Sequence, residues 1–501
     1  MLIKMYNDRI HRPELASKII TDFEAAALIK DGMVVGTSGF TKSGDSKAVL
    51  PALAEMAKEN PLKITLISGA SLGNNTDGKL ADAGALHMRM PFQVDPVLRK
   101  HINNGNIYFI DQHLSETSEV VKADTFGDMD IAIIEACQIL SDGSIVPTTS
   151  IGNSAVFAEK AKKIIIELNL AMPIALHGIH DIFSAGVYPK RVPIPIVIPD
   201  NKIGRTSIEL DPAKIVAIVI TDQHDSPADI AEPDEATTNI SNHLLEFFNN
   251  EVKCGRLKEN LMPLQAGIGK VANSVLRGFI NSKFSNLTMF SEVLQDSTFD
   301  LIDAGKMNYA SGSSITVSAK YREMIFNNLE YYKHKIVLRP QEISNSVGLI
   351  RRLGVISINT ALECDIYGNV NSTHVSGTHM MNGIGGSEDF ARNSYMSIFV
   401  TSSIAKGGSV SSIVPMVTHV DHTEHDVDVI VTDKGLADLR GLSPRQRAQV
   451  VIDNCVHEDY KAQLQDYFDR ALLRGGHTPH LIEEAFKWHA NLAEKGTMKF
   501  M

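Results

Sequence analysis

The sequence is poor in cysteine, and none of its cysteines forms a CxxC pair. Its four cysteines are spread over 501 residues, at positions 137, 254, 364 and 455. This scatter is atypical of a disulfide-stabilised secreted protein. The first 18 residues also lack the apolar run of a signal peptide. We therefore expect an intracellular, cytoplasmic protein.

Long apolar runs and an excess of positive charge are also missing. The strongest apolar run, at 215–220, has the length of a strand and is far shorter than the roughly 20 residues that span a bilayer. The net charge is -11, from 48 basic and 59 acidic residues. A nucleic-acid-binding protein would carry a basic face instead. The sequence thus predicts neither a membrane nor a nucleic-acid partner.

Several common catalytic motifs are absent. The chain contains no GxSxG elbow and no HExxH zinc motif. The segment at 267–272 reads GIGKVA, so the last glycine of the dinucleotide-binding fingerprint GxGxxG is missing. The glycine-rich turn at 382–387 lacks the lysine of the phosphate-binding Walker motif. The glycine turns at 266–273, 380–393 and 405–409 are either tight strand–helix connections or places where main-chain N–H groups approach an anion.

The pattern that is present is a regular alternation of strand-like and helix-like segments. Hydrophobic residues make up 44% and charged residues 21%, as in ordinary globular proteins, and the length exceeds that of one core. Short β-branched runs, for example 129–136, 162–168, 193–199 and 214–221, alternate with amphipathic stretches. This pattern predicts an α/β fold with largely parallel sheets.

The composition changes at a polar, acidic, proline-bearing segment at 221–236. Segments of this kind often link domains. Strand-like runs resume beyond it, and the chain from Ser443 onward has a helical pattern. The sequence therefore predicts two domains, residues 1–228 and 229–501.

Two places carry side chains that could do chemistry. Glu292 follows an apolar strand-like run and precedes a helical pattern, so it is either a helix-capping neighbour or a catalytic carboxylate at a strand end. The segment HVDHTEHD at 419–426 holds three histidines and three carboxylates. It is either a metal site or a hydrogen-bonded turn. Cys364 lacks the context of a nucleophile, and we expect it to pack in the interior.

Taken together, several segments are more specific than any single motif. GIGKVAN (267–273), SEVLQDS (291–297), RPQEISNS (339–346), MMNGIGGSEDFARN (380–393) and the long segment 415–444 closely resemble the acetyl-CoA hydrolase/transferase family. This family includes the succinyl-CoA:acetate CoA-transferases, which are class I CoA-transferases. The resemblance runs nearly end to end. It implies two similar α/β CoA-transferase domains, with the active site in the cleft between them and the catalytic glutamate in the second.

The resemblance implies a ping-pong acyl-CoA:carboxylate CoA-transferase. Glu292 matches the glutamate that attacks the thioester, giving an acyl-glutamyl anhydride and then a glutamyl-CoA thioester. Asn345 matches the residue that supports this glutamate. Each step passes through a tetrahedral oxyanion, which needs preorganised N–H donors. The matching donors are main-chain amides near Ile268 and at Gly386.

The same resemblance implies the residues that contact the substrates. The expected coenzyme A contacts are Gly267, Gly269, Asn382, Gly386 and Lys406. The expected acyl or acid pocket is lined by Ser71, Val94, Ala228 and Asp433. Coenzyme A is itself the carrier, so no metal ion and no permanently bound cofactor is implied. The expected partners are a short acyl-CoA, such as acetyl-CoA, and a small carboxylate such as acetate.

Two other functions stay open at this point. An acetyl-CoA hydrolase could use the same scaffold, with water in place of the acceptor acid. A non-catalytic protein that senses coenzyme A is a third hypothesis, although the retention of Glu292 beside intact glycine turns argues against it. A homodimer is expected only because two-fold dimers are the commonest assemblies.

One departure from the family pattern concerns charge near the expected cleft. The pattern SGDF is replaced by SEDF, which introduces Glu388. Its carboxylate either weakens anion binding or points away from the site.

Three further departures concern acyl preference. Val94 stands where the family has a hydroxyl residue, Ala228 where members that handle succinate have an arginine, and Asp433 where the family has a glutamate. An acyl chain that ends in a carboxylate would lose a cation and a hydroxyl, at about 1–3 kcal/mol each. We therefore expect acetyl, propionyl and butyryl groups to be preferred over succinyl. Comparing kcat/KM for butyryl-CoA and succinyl-CoA tests this, and a strong succinyl preference would contradict it.

Overall fold

The computed structural model describes residues 6, 8–228 and 232–500. Its strands are β1 (Val34–Thr37), β2 (Ile64–Ile67), β3 (Leu86–Met90), β4 (Tyr108–Phe109), β5 (Ile131–Ile139), β6 (Ile145–Pro147), β7 (Lys163–Asn169), β8 (Ile215–Thr221), β9 (Leu264–Ala266), β10 (Leu287–Phe290), β11 (Val293–Leu294), β12 (Met307–Gly312), β13 (Ser314–Ile315), β14 (Ile336–Leu338), β15 (Ile356–Thr360), β16 (Glu363–Asp365), β17 (Val370–Asn371), β18 (His374–Val375), β19 (His379–Met380), β20 (Met396–Val400), β21 (Ile404–Ala405), β22 (Val410–Ser411), β23 (Ile413–Val414), β24 (Val429–Thr432) and β25 (Gly435–Asp438).

The α-helices are α1 (Asp22–Ala26), α2 (Val49–Glu59), α3 (Thr76–Asp82), α4 (Pro96–Asn103), α5 (Leu114–Lys122), α6 (Ser154–Lys160), α7 (Glu235–Lys253), α8 (Lys270–Gly278), α9 (Asp296–Asp303), α10 (Ala319–Asn327), α11 (Leu329–Tyr332), α12 (Gln341–Ser344), α13 (Val347–Leu353), α14 (Ser387–Ala391), α15 (Pro444–Cys455), α16 (Glu458–Arg474) and α17 (Lys487–Lys495). Over the described residues, no helix combines the length and the apolar composition needed to cross a membrane.

The chain divides into two compact units that are not continuous in sequence. Unit 1 comprises Met1–Asp229, Met289–Asp296 and Tyr309–Leu349, and unit 2 comprises the rest. Unit 1 thus contains two later stretches of chain, one of which carries Glu292. The predicted domain boundary adjoins residues 229–231, which lie outside the described residues, and it stays a prediction.

Unit 1 is built on a mainly parallel sheet in the order β4-β3-β2-β1-β5-β7-β8, with β6 antiparallel to β5. Every residue of the central strand β5 is buried. A parallel strand covered on both faces reads as a continuous apolar run, which is why this segment was recognisable in the sequence. The helical pattern after β1 forms α2, whose Leu50 and Leu53 are buried in the core.

Unit 2 contains parallel strands β9, β15, β20 and β24, followed by β25 antiparallel to β24. A large apolar cluster joins these strands to the carboxyl-terminal helices, and it includes Phe399, Ile430, Leu464 and Trp488. The α/β fold class with parallel sheets is confirmed, as is the helical carboxyl-terminal stretch that begins after Ser443.

The strand predicted at 193–199 is wrong. The segment is irregular, with Ile196 buried but Val197 and Ile198 exposed. Its three prolines, at 193, 195 and 199, have no N–H to donate to a strand ladder, so the apolar pattern alone was misleading. The side chain of Asn201 instead accepts hydrogen bonds from the main-chain N–H groups of Val197 and Ile198.

A buried charge cluster lies beside the sheet of unit 1. The Lys47 ammonium lies 2.9 Å from a carboxylate oxygen of Glu135 and 2.9 Å from one of Asp225, and Asp45 is 3.8 Å away. Burial raises the pKa of Glu135 to about 8 and that of Asp45 to about 6. One buried cation therefore faces three carboxyl groups, and its removal would leave negative charge in the interior without a partner.

Replacing Lys47 tests how much this cation contributes to the free energy of unfolding. We expect Lys47→Met to lower the free energy of unfolding by about 3 kcal/mol, because Asp225 would stay buried without its ion pair. Equilibrium urea unfolding measures the loss. Lys58→Met is the matched control, since Lys58 pairs with Glu55 on the surface, where both side chains are 56% exposed. An equal loss in the control would contradict the assignment.

Candidate active site

Glu292 lies between the end of β10 and the start of β11. Its main-chain carbonyl accepts hydrogen bonds from the N–H groups of Ser313 (2.6 Å) and Ser314 (3.2 Å). The next residue, Val293, pairs with Ser314 in the two-stranded parallel sheet β11–β13. The backbone of Glu292 is thus fixed by a neighbouring strand, and its side chain is partly buried.

Asn345 holds the carboxylate of Glu292. Its Nδ2 donates a hydrogen bond of 2.9 Å to Oε1 of Glu292. Its Oδ1 accepts from the Ser344 hydroxyl at 2.9 Å, which leaves the amide nitrogen to face the carboxylate. Asn345 is fully buried at the end of α12. The structure thus brings together the two residues that the resemblance pairs, and their catalytic roles stay predictions.

The segment that carries Asn345 is anchored on both sides. The Gln341 N–H donates to the Gly152 carbonyl at 2.9 Å, and the Gln341 side chain donates to the Leu114 carbonyl at 2.7 Å. Just before α12, the buried Arg339 forms an ion pair with Asp181 at 3.0 Å. Such support keeps a site residue within the narrow geometry that catalysis needs.

The environment of Glu292 alters its acidity. Burial raises the pKa of Glu292 to about 7, and the hydrogen bond from Asn345 opposes that rise. A carboxyl group with a pKa near neutrality exchanges its proton readily at physiological pH. The helix-capping alternative is not supported, because α9 begins only at Asp296 and the carboxylate faces Asn345 instead.

Three of the predicted pocket residues lie in unit 1 with Glu292. Val94 packs on a small apolar cluster, formed by Phe40, Ala70, Phe92, Leu114 and Val293. This cluster includes Val293, the residue that follows Glu292. Ser71 is buried next to this cluster, and its carbonyl accepts from the Lys42 N–H. Ala228 donates its N–H to the Val317 carbonyl at 3.1 Å.

The first predicted oxyanion turn lies in unit 2. Gly267, Ile268 and Gly269 connect the carboxyl end of β9 to α8, which is where ligands gather in parallel sheets. Gly269 has a φ of 117°, a backbone conformation that residues with a side chain rarely adopt. The Ile268 side chain is 41% exposed.

The second predicted turn, also in unit 2, runs from Asn382 to Gly386 and leads into α14. Oδ1 of Asn382 is buried without a hydrogen-bond partner among the described residues. Such an atom is a ready acceptor for a ligand donor. Lys406 is exposed in the short turn Lys406–Gly408, and the Asp433 carboxylate accepts from the Ser403 N–H at 2.6 Å.

The histidine-rich segment at 419–426 does not converge on a metal. The side chain of His422 is buried and its Nδ1 lies 2.6 Å from Oε2 of Glu388, whereas His425 is exposed. The part of the chain that the structure describes contains no group of His, Cys, Asp and Glu arranged to hold a metal ion. Sequence reasoning missed this pair because no spacing rule connects residues 34 positions apart.

Comparison with known proteins decides the family. The amino-terminal domain of the acetyl-CoA hydrolase/transferase family matches residues 4–220, and its carboxyl-terminal domain matches residues 322–468. Together these matches cover more than half of the chain. The chain belongs to the acetyl-CoA hydrolase/transferase family. The resemblance inferred from the motifs is thereby confirmed.

Similar full-length proteins of this family carry two different activities in their names. A succinyl-CoA:acetate CoA-transferase from Clostridium kluyveri is 50% identical over 494 residues, which is 98% of this chain and 92% of the relative. An acetyl-CoA hydrolase from Candida glabrata is 45% identical, over 99% of this chain and 98% of the relative. RipA from Yersinia pestis has a similar fold, with a TM-score of 0.72 at 21% identity, over 94% of this chain and all of that structure.

The raised pKa of Glu292 makes a prediction about stability. A carboxyl group that binds its proton more tightly when folded contributes stability below its ordinary pKa of 4.5, and that contribution is lost as the pH rises through about 7. We therefore expect Glu292→Gln to unfold with a free energy about 1–3 kcal/mol higher than wild type above pH 8, with no gain below pH 4. Urea unfolding at both pH values measures this, and a pH-independent difference would contradict it.

Proposed function

We propose that this member of the acetyl-CoA hydrolase/transferase family is an acyl-CoA:carboxylate CoA-transferase that works through Glu292. The observation that carries the proposal is the contact between Glu292 and Asn345, in which a carboxylate with a raised pKa is oriented by a buried amide. The Clostridium kluyveri relative, half identical over nearly the whole chain, bears a transferase name and supports the same activity.

In this mechanism, one carboxylate oxygen of Glu292 attacks the thioester carbonyl of an acyl-CoA. The C–S bond breaks, coenzyme A leaves as a thiolate, and an acyl-glutamyl anhydride forms. The thiolate then attacks the glutamyl carbonyl, which releases the free acid and leaves a glutamyl-CoA thioester. A second carboxylic acid reverses both steps. Because each intermediate stays activated, the free energy of the thioester is retained.

Asn345 has a defined part in this sequence. Its N–H donor favours the ionised form of Glu292, which is the nucleophile, and holds one oxygen so that the other is free to attack. The main-chain amides near Ile268 and at Gly386 would stabilise the oxyanion of each tetrahedral intermediate. Gly267, Gly269, Asn382 and Lys406 would contact coenzyme A, and the acyl or acid group would meet Ser71, Val94, Ala228 and Asp433.

Acyl-CoA and small carboxylates are the substrates, and coenzyme A is the carrier rather than a resident cofactor. Acetyl-CoA with acetate as acceptor is the simplest pair, and propionyl-, butyryl- and succinyl-CoA are further donors. We place the enzyme in the cytoplasm as a homodimer, and both assignments stay predictions.

Hydrolysis of acetyl-CoA is the second candidate. It is favoured by the name of the Candida glabrata relative, which is 45% identical along almost its full length. In a hydrolase, water would attack the anhydride or the glutamyl thioester. The two activities differ in whether release of coenzyme A requires an added acid.

Intact-mass analysis after incubation with acetyl-CoA, without an acceptor acid, separates the candidates. We expect a stable coenzyme A adduct on the peptide that contains Glu292, because no second acid is present to discharge the thioester. Adding acetate should remove the adduct. Glu292→Gln should form none and should lower kcat at least about 1000-fold, as expected for loss of a covalent nucleophile.

Glu330→Gln is the control, because Glu330 forms a surface pair with Lys333 and is 80% exposed. It should form the adduct at the wild-type rate. Release of coenzyme A without any adduct would favour the hydrolase, and an adduct on a different residue would overturn the assignment of Glu292.

A further inference from the structure

A chain of hydrogen bonds leads from Glu388 to the glycine-rich turn of unit 2. Oε2 of Glu388 lies 2.6 Å from Nδ1 of His422. Nε2 of His422 lies 3.2 Å from the Ser387 hydroxyl. The same hydroxyl lies 2.8 Å from the carbonyl oxygen of Ile384. Ile384 is in the middle of the turn Asn382–Gly386, so the chain ends within this turn.

The donor and the acceptor of each hydrogen bond in this series can be assigned. The Ile384 carbonyl can only accept, so the single O–H of Ser387 donates to it. Ser387 can then only accept from His422, which means that Nε2 of His422 carries a proton. Glu388 and His422 therefore share one further proton between Oε2 and Nδ1, either as an ion pair or as a neutral acid with a neutral ring. In this arrangement the Ser387 hydroxyl and both ring nitrogens of His422 have hydrogen-bond partners.

His422, in the middle of this series of hydrogen bonds, is held in place by its own contacts. The residue is fully buried, and its main-chain N–H and C=O groups both bond to Val370, at 3.0 and 2.8 Å. Its ring lies against Phe399, with the ring centres 4.6 Å apart. Because these contacts restrict the ring, the ring in turn restricts the Ser387 hydroxyl that it contacts. The turn is thus tied to the interior of unit 2 through a side chain that sets its position.

We propose that Glu388 and His422 are positioning residues that hold the turn Asn382–Gly386, through Ser387, in the conformation that binds coenzyme A. The inference rests on the proposed function, since it takes this turn as part of the coenzyme A site. It also answers the question that the sequence left open. The Glu388 carboxyl group is turned to His422, so it contributes a hydrogen bond within unit 2 that orders the turn.

The test compares variants that break the chain with one that preserves it. Glu388→Ala leaves Nδ1 of His422 without its Glu388 partner. Ser387→Ala removes the hydroxyl that links His422 to the Ile384 carbonyl, while the main-chain N–H of residue 387 still donates to that carbonyl at 3.3 Å. Glu388→Gln preserves the chain, because its amide N–H donates to Nδ1 of a neutral ring whose Nε2–H still donates to Ser387. Affinity for free coenzyme A is measured by titration calorimetry, and the melting temperature of each variant is recorded.

We expect Glu388→Ala and Ser387→Ala each to weaken coenzyme A binding about 10-fold, the effect of one lost buried hydrogen bond, and Glu388→Gln to stay within about twofold of wild type. The double variant should bind no more weakly than either single variant, since both break one chain. His425→Gln is the matched control, because His425 lies in the same segment but is exposed, and it should bind like wild type.

Three outcomes would overturn the inference. These are wild-type affinity in both alanine variants, equal weakening in Glu388→Ala and Glu388→Gln, and additive losses in the double variant. If Glu388→Ala does not fold, the binding affinity of Ser387→Ala is a sufficient test. We expect this variant to fold because it removes only one hydroxyl. The proposed function is tested separately by the coenzyme A adduct on Glu292. Its absence, with the binding pattern intact, would reject the transferase mechanism and keep the role of Glu388.

Discussion

One hydrogen bond, from the amide of Asn345 to the carboxylate of Glu292, is the interaction on which the candidate site in unit 1 depends. A carboxylate that is removed from water tends to take up a proton, and the protonated form is a poor nucleophile. A carboxylate in open water is well solvated and weakly nucleophilic, and water there can hydrolyse an activated intermediate. The observed environment lies between these extremes. Burial raises the pKa to about 7, and the single amide donor limits the rise.

Several contacts within unit 1 hold those two residues in place. The backbone of Glu292 is fixed by Ser313 and Ser314, and Asn345 is fixed by Ser344 and by the segment that Arg339 anchors. These contacts combine main-chain hydrogen bonds, a hydrogen bond between two side chains and a buried ion pair. Rigid support of this kind is the usual origin of preorganisation in an enzyme site.

The fold class could be predicted from the sequence because buried parallel strands, such as β5 and β7, appear as continuous β-branched runs. The error at 193–199 has the same origin, since an apolar run with proline at every few positions cannot form a ladder. For the site, residues alone left Glu292 open between capping and catalysis, and only the family motifs favoured catalysis. The contact with Asn345, 53 positions away, depends on a sheet and a helix that no local pattern connects. The contact between Glu388 and His422 could not be predicted from the sequence for the same reason.

The discontinuous make-up of unit 1 has a consequence for how the protein is made. Its first 229 residues leave the ribosome long before the stretches Met289–Asp296 and Tyr309–Leu349 that complete it. Synthesis therefore yields an incomplete unit 1 first, and Glu292 and Asn345 are added only after part of unit 2 has been made. The contact between Glu292 and Asn345 can thus form only after some 345 residues of the chain have been synthesised. Glu292 is made before Ser313, Ser314 and Asn345, so the contacts that hold its backbone and its carboxylate form only after all three have been added.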